Sequence, residues 1–340
     1  MERRTLMQLI PLLGIHTAVT PDVLNRIFAA ADTALGDISH DPGEWEWTVY
    51  ERWHHFTTTR PGATVPMLAT DLLQVTDLLD KTQSAVVRDG LTRIAAQLAA
   101  LMAGDLADIG QAHASRRAFA TARRFADASS DRPLAAWVRA REAGYGLCLG
   151  RPRGVIARLV QDAVDIADGV SSPGLMDAYA VQARIGAMEG DKSTVQQAVA
   201  KMDDIWERRP DTVDGVTDPS RWAWALGPLG IKAYAYALLR EPTAARELEA
   251  AHARLVRIGH EGGARSVRLM QALHLVKNHD LTGLTLAVET SEEMLLSAQR
   301  RVIANQILNA IPPQAKTSEP AQRLRELVTA SAAPPPPPAA

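Results

Sequence analysis

Few residues in this chain stand at spacings that catalysis or metal binding requires. His54 and His55 are adjacent, so on a helix they project about 100° apart and cannot share one ion. Glu51 and His55 form an i, i+4 pair, but two ligands without a third make a surface pair rather than a metal site. His252, His260, His274 and His279 have no helix-spaced His-Glu-x-x-His pattern around them and read as exposed or capping histidines. The lone Cys148 sits in Leu147-Cys148-Leu149, just before a glycine, where an inert buried thiol is expected rather than a nucleophile. No glycine-rich phosphate loop, dinucleotide fingerprint or Gly-x-Ser-x-Gly elbow occurs. The residues thus assign no catalytic group, no metal ligand and no cofactor, and a non-enzymatic protein is expected.

Charge and aromatic residues carry more. Between Gly110 and Val160 lie Arg116, Arg117, Arg123, Arg124, Arg132, Arg139, Arg141, Arg151, Arg153 and Arg158, opposed by Asp127, Asp131 and Glu142. Such a run is either a solvated face whose arginine stems cover apolar surface, or a basic patch for an acidic partner, a phosphorylated ligand or nucleic acid. The pairs Trp45-x-Trp47 and Trp222-x-Trp224 read as core staples or as ligand-stacking walls.

The elements that must position these residues follow from a period. Gly110, Gly150 and Gly190 stand forty residues apart, and each interrupts an Ala-rich apolar segment that a second amphipathic segment follows. A period of a few tens of residues signals stacked helix-turn-helix units, because one pair cannot bury its apolar face alone. Glycine suits the turn, since a residue just past a helix end often adopts a left-handed backbone. The expected pairs run from about Ser84 to Ile109 and Ala112 to Ala128, from Leu134 to Leu149 and Arg153 to Ala167, and from Leu175 to Glu189 and Ser193 to Glu207. A fourth pair turns at Arg240-Glu241-Pro242 and a fifth at Asn278-His279-Asp280. Helices over about Glu292 to Ala310 and Pro320 to Ala330 follow.

The resulting expectation is an all-α fold, a right-handed α-solenoid of tetratricopeptide-like helix pairs. Residues 1–82 would form an N-terminal helical cap, 83–210 the first three pairs, 211–330 the later pairs and closing helices, and 331–340 a Pro-rich disordered tail. The first helix of each pair would line a concave groove. Counting back from the turns places Gln97, Gly104, Trp137, Gly144, Asp177, Arg184 and Tyr234 on it, and Gln97, Trp137, Asp177, Arg184 and Tyr234 are the expected ligand contacts.

Composition narrows the class. Of 340 residues 46% are hydrophobic, the formal charge is −2, and no apolar run reaches the roughly 18 to 20 residues that cross a bilayer. A near-neutral chain does not coat nucleic acid, and a single cysteine forms no internal disulfide, so a cytoplasmic home is expected. Met1-Glu2-Arg3-Arg4-Thr5-Leu6 has the look of a twin-arginine export signal, but Gln8 and Pro11 interrupt its apolar core and no cleavage site follows.

The run Asp108-Ile109-Gly110, Ser115-Arg116-Arg117-Ala118-Phe119, Ala122-Arg123-Arg124, Ala126 and Asp131-Arg132-Pro133-Leu134-Ala135-Ala136 resembles a known helical region. It is similar to the C-terminal tetratricopeptide-like region of actinobacterial helix-turn-helix (XRE-type) transcriptional regulators. Arg3-Arg4-Thr5-Leu6 matches the Arg-Arg-x-Leu junction that follows their DNA-binding domain, so the chain begins where that domain would end. The resemblance implies a regulatory module that binds a peptide, a protein segment or a small signal molecule in its groove, with no direct DNA binding, and the composition adds the expectation of no membrane contact. Two other functions remain open: a scaffold whose exposed repeat faces form a homodimer, and an enzyme acting on a small molecule in the Trp-lined N-terminal part.

Overall fold

The structure, a computed structural model, describes residues 41–209, 228–293 and 296–332. The part of the expected N-terminal cap before Asp41, the Trp222-x-Trp224 pair and the expected tail beyond Ala332 lie outside the described residues. Within them the fold is all-helical, with no strand.

Two helices precede the pairs. α1 (Pro42–Thr58) begins at Asp41, whose carboxylate accepts the Gly43 amide at 3.0 Å, and Pro42 occupies the first turn, where its missing N–H costs nothing. α2 (Val65–Lys81) follows the turn at Gly62, where φ is +85°. The pairs are α3 (Ala85–Asp108) with α4 (Ala112–Ala128), α5 (Arg132–Cys148) with α6 (Arg153–Ala167), and α7 (Pro173–Glu189) with α8 (Lys192–Glu207). Beyond residue 228 come α9 (Leu229–Leu239) with α10 (Ala244–Arg257), α11 (Glu261–Lys277) with α12 (Thr282–Glu292), and α13 (Ala298–Ala310) with α14 (Glu319–Ala332). The helix starts are capped by side chains: Ser84, Asp131 and Asp191 accept the amides of Val87, Leu134 and Thr194.

The turns inside the pairs share one backbone solution. Gly110, Gly150 and Gly190 have φ between +66° and +77°, and the next amide reaches back to the carbonyl five residues earlier: Gln111 to Leu106, Arg151 to Gly146, Asp191 to Gly186. This is the Schellman closure of a helix end. Arg240 (φ +57°) and His279 (φ +66°) take the same left-handed place in the fourth and fifth pairs, with Glu241 bonded to Tyr236 and Asp280 to Leu275. The geometry persists where the glycine does not.

Successive pairs meet through their first helices: α3 touches α5, α5 touches α7, α7 touches α9, α9 touches α11, and α11 touches α13. Of these, α3, α5 and α7 bury more than half of their residues and the second helices only one stripe; α3 buries 15 of its 24 residues, α4 only five of 17, so the Ala-rich helices form the spine.

One feature departs from a stack in which each pair meets only its neighbours: α13 also touches α3 and α5, and α11 touches α1. The last turn of α3 carries Asp105 and Asp108. Asp105 accepts the amides of Gly62 (2.5 Å) and Thr64 (3.0 Å) ahead of α2, and Asp108 Oδ1 accepts the Ala298 amide at the start of α13 (2.8 Å). The Arg301 guanidinium then donates to the carbonyls of Asp108 (2.6 Å), Leu296 (2.9 Å) and Ser331 (3.1 Å). At the other junction a Cβ on Gly262 would lie 2.9 Å from the Thr57 carbonyl oxygen, so only glycine lets α11 start against the end of α1. The expected open furrow is therefore bounded by α1 and α13 as well.

Arg301→Ala would leave the ends of α3 and α14 without their shared donor. It is expected to lower stability by about 2–4 kcal/mol, each bond to a charged donor contributing about 1.5–3 kcal/mol and part being regained from water, as read by denaturant unfolding.

Candidate functional site

The inner helices surround a cavity of about 320 Å³. Its wall combines α5 and α7 on one side with the end of α1, the start of α11 and the start of α13 on the other. On α5 the stripe facing it is Arg141, Gly144, Tyr145 and Cys148, and on α7 it is Met176, Asp177, Ala180, Val181 and Arg184. Both follow the i, i+3/i+4, i+7 spacing of one helix face. Trp53 and Phe56 of α1 supply an aromatic side, and His260, whose ring stacks on Trp53 at 6.5 Å, continues it with Ser266 and Arg300.

Two of the five expected contacts, Asp177 and Arg184, therefore lie on one cavity wall. The other three do not. Trp137 is 1% exposed and packed where α7 crosses α5; a Cβ on Gly174 would fall 2.4 Å from the Trp137 backbone nitrogen. Tyr234 is also 1% exposed, and its hydroxyl donates to Gln306 Oε1 at 2.7 Å. Gln97 is buried in the middle of α3. The misplacements share no direction: Arg141 lines the cavity one turn after Trp137, Gly230 and Ile231 line it one turn before Tyr234, and Asp108 lines it at the far end of the helix that carries Gln97. Gly144 lines the cavity, whereas Gly104 lies against Tyr145, whose hydroxyl oxygen would be 2.8 Å from a Cβ there.

The arginines on this wall are held unusually. The Arg141 guanidinium lies 5.1 Å from the Trp137 ring and 5.6 Å from the Tyr145 ring. That of Arg184, a side chain almost wholly buried, lies 5.9 Å from the Tyr234 ring, with Nη2 3.7 Å from Cys148 Sγ. Among the described residues neither makes an ion pair, and Nε of each is buried without a hydrogen-bond partner. Arginine cannot shed its proton to escape such a setting. Burying an ion costs several kcal/mol, and an aromatic face returns about 2 kcal/mol when desolvated. The aromatic seats position these guanidinia without neutralising them.

The acids of the site respond to the same burial. Asp177 is pushed up to about 6 by desolvation, against the opposing pull of Arg141; the surface it exposes faces the cavity. Asp108 is pushed up to about 7 by burial, despite the Ala298 amide it accepts. His260 is brought down to about 4 by burial and by Arg300, so its neutral ring caps α11, Nδ1 accepting the Gly263 amide at 2.7 Å. Arg300 donates to the Gly262 carbonyl (2.7 Å) and to Ser266 Oγ (3.1 Å). Three histidine, cysteine, aspartate or glutamate side chains do not converge as a metal cluster anywhere among the described residues.

Sequence reasoning missed Arg141, although it stands at i+4 from Trp137 on the same stripe. It also missed Asp108, whose signal was an acid in the last helical turn, opposed to the dipole of its own helix. The arginine run is partly used up internally. Arg123 and Arg151 both pair with the buried Glu142, Arg139 pairs with Asp127, and Arg132 donates to the Ile166 carbonyl. Arg116, Arg117, Arg124 and Arg158 are exposed.

No family model, curated protein or solved structure matches this chain. No helix among the described residues is long and apolar enough to cross a membrane.

Two outcomes follow. Trp137→Ala is expected to cost about 3–5 kcal/mol in denaturant unfolding, as for a fully buried aromatic. A raised Asp108 means that the native state holds a proton the unfolded chain has released, so stability falls as pH climbs through about 7. Asp108→Asn keeps the acceptor for Ala298. Relative to this variant, wild type is expected to gain about 1 kcal/mol between pH 8 and pH 6, the opposing loss from His260 being common to both.

Proposed function

We propose that this chain is a non-enzymatic regulatory module, a right-handed superhelix of tetratricopeptide-like pairs, that senses a small molecule or a peptide end within the ring of its inner helices. One observation carries this reading: a single cavity has walls from both ends of the array, α5 and α7 from the early pairs and α11 and α13 from the late ones. A ligand there touches elements far apart in sequence. Its binding energy favours the arrangement in which α13 closes on α3 and α5, at the expense of any opened one. The outer helices, which bury one stripe only, would then present a changed surface to a partner.

The resemblance of the Asp108–Ala136 stretch to the helical region of XRE-type regulators supports a place in transcriptional control, acting through partners rather than by touching DNA. The wall chemistry supports binding over turnover: Asp108 and His260 already serve as helix caps, and Arg300 is tied to the start of α11.

A thermal-shift panel of short peptides and of charged and neutral metabolites tests this, with Ala180→Phe as the control that fills the cavity. At about one hundred times the dissociation constant a ligand adds about 2.7 kcal/mol, which for a chain of this size is a rise of roughly 4 °C. The rise is expected in wild type and absent from Ala180→Phe. A panel without a single hit, or hits that persist in the filled variant, would reject the reading.

A further inference from the structure

We propose that the cavity selects ligands bearing one carboxylate, which seats on the Arg184 guanidinium with Arg141 as a second donor, while the apolar remainder of the ligand lies toward Trp53, Phe56 and Met176. This rests on the cavity being a ligand site, as argued above, and specifies the class of ligand.

Charge inside the ring decides the sign. Arg300 is tied to the Gly262 carbonyl and to Ser266, beside Asp108, so that corner is internally satisfied. Asp177 acts on Arg141 through the cavity without reaching ion-pair distance, and the two offset one another once Asp177 is ionised. His260 is neutral at physiological pH and serves as an acceptor. Arg184 differs from the other cations of the wall: its side chain is more than nine-tenths buried, no carboxylate pairs with it among the described residues, and its Nε has no hydrogen-bond partner. Tyr234 lies against it and is itself anchored to Gln306, and Cys148 stands at its other edge, so the fork is fixed before a ligand arrives.

A planar guanidinium with free N–H groups matches a carboxylate in geometry and in charge. A phosphate monoester carries nearly two negative charges at neutral pH, more than one uncompensated arginine neutralises. Size agrees: about 320 Å³, at the ~30 Å³ that one water takes in the liquid, is room for about ten non-hydrogen atoms. The seven residues between Arg141 and Cys148, or between Asp177 and Arg184, span about 10 Å of helix at 1.5 Å each, which suits a short aryl or alkyl acid lying along the wall.

The probes are matched pairs: benzoate and phenylacetate, each against its primary amide, with phenyl phosphate as the dianion. Calorimetric titration is run on wild type, Arg184→Gln and Arg184→Lys. The acids are expected to bind wild type at least tenfold more tightly than their amides and than phenyl phosphate. Arg184→Gln is expected to erase the preference for the acid, and Arg184→Lys to keep part of it. Arg184→Gln without ligand is also expected to melt no lower than wild type, because it removes a buried charge that has no counter-ion; an arginine held there for structure alone would melt lower when replaced. Equal binding of acid and amide, tighter binding of phenyl phosphate, or a preference that survives Arg184→Gln overturns the assignment. Binding of the amides alone removes the carboxylate but leaves the cavity as a ligand site, whereas binding of none of these probes counts against both.

Discussion

The architecture depends on two carboxylates placed where a helix least favours them. Asp105 and Asp108 occupy the last turn of α3, at the negative end of its dipole, and both are buried. Each is compensated by the positive end of another helix: Asp105 by the amides of Gly62 and Thr64 before α2, Asp108 by the first amide of α13. The end of α3 is thus a node that fixes the approach of the N-terminal helices and the return of the C-terminal ones. Residues 190 positions apart meet there, and Arg301 completes the joint by capping the α3 carbonyls. The burial that pushes Asp108 up to about 7 is the cost of this arrangement.

Without that node, pairs joined by equivalent turns would make an array in which each unit answers only to its neighbours. Contact of α13 with α3 and α5 converts a one-dimensional stack into a ring with an interior. An interior permits what a furrow does not, namely charged groups kept from bulk water yet short of partners. The arginines of α5 and α7 are in that condition, seated on aromatic faces that orient them. Low dielectric makes such a guanidinium costly when empty and effective when it meets an anion. The functional proposal is a consequence of the closure.

Local structure was legible because the signals that build it are local. Glycines forty residues apart and apolar stripes at helical spacing place the helices of the first three pairs to within about two residues, whereas the helix expected from about Glu292 begins only at Ala298. Arg240 and His279 show the limit of reading turns by residue type, since packing of the flanking helices holds each in the left-handed conformation that glycine adopts more readily. Asp177 and Arg184 stand seven positions apart on one stripe of α7, and both line the cavity. Trp137 and Tyr234 were misplaced for a physical reason: a large aromatic on an inner helix serves equally as wall or as wedge between helices, and only the depth of the neighbouring helix crossing decides. The pairing of Asp108 with Ala298 was not legible. The acid announces an unsatisfied helix end, but nothing local names a partner 190 residues away.

The closure can be read at one atom. Ala298 is the first residue of α13, so its amide has no acceptor within its own helix, and its bond is to Asp108 of α3. Native-state hydrogen exchange at the Ala298 amide is the most direct measurement. The ring predicts protection approaching that of the core amides of α3 and α5, with loss of it in Asp108→Ala. Exchange at the rate of an exposed loop amide would mean that α13 does not rest on α3, and the cavity would go with it.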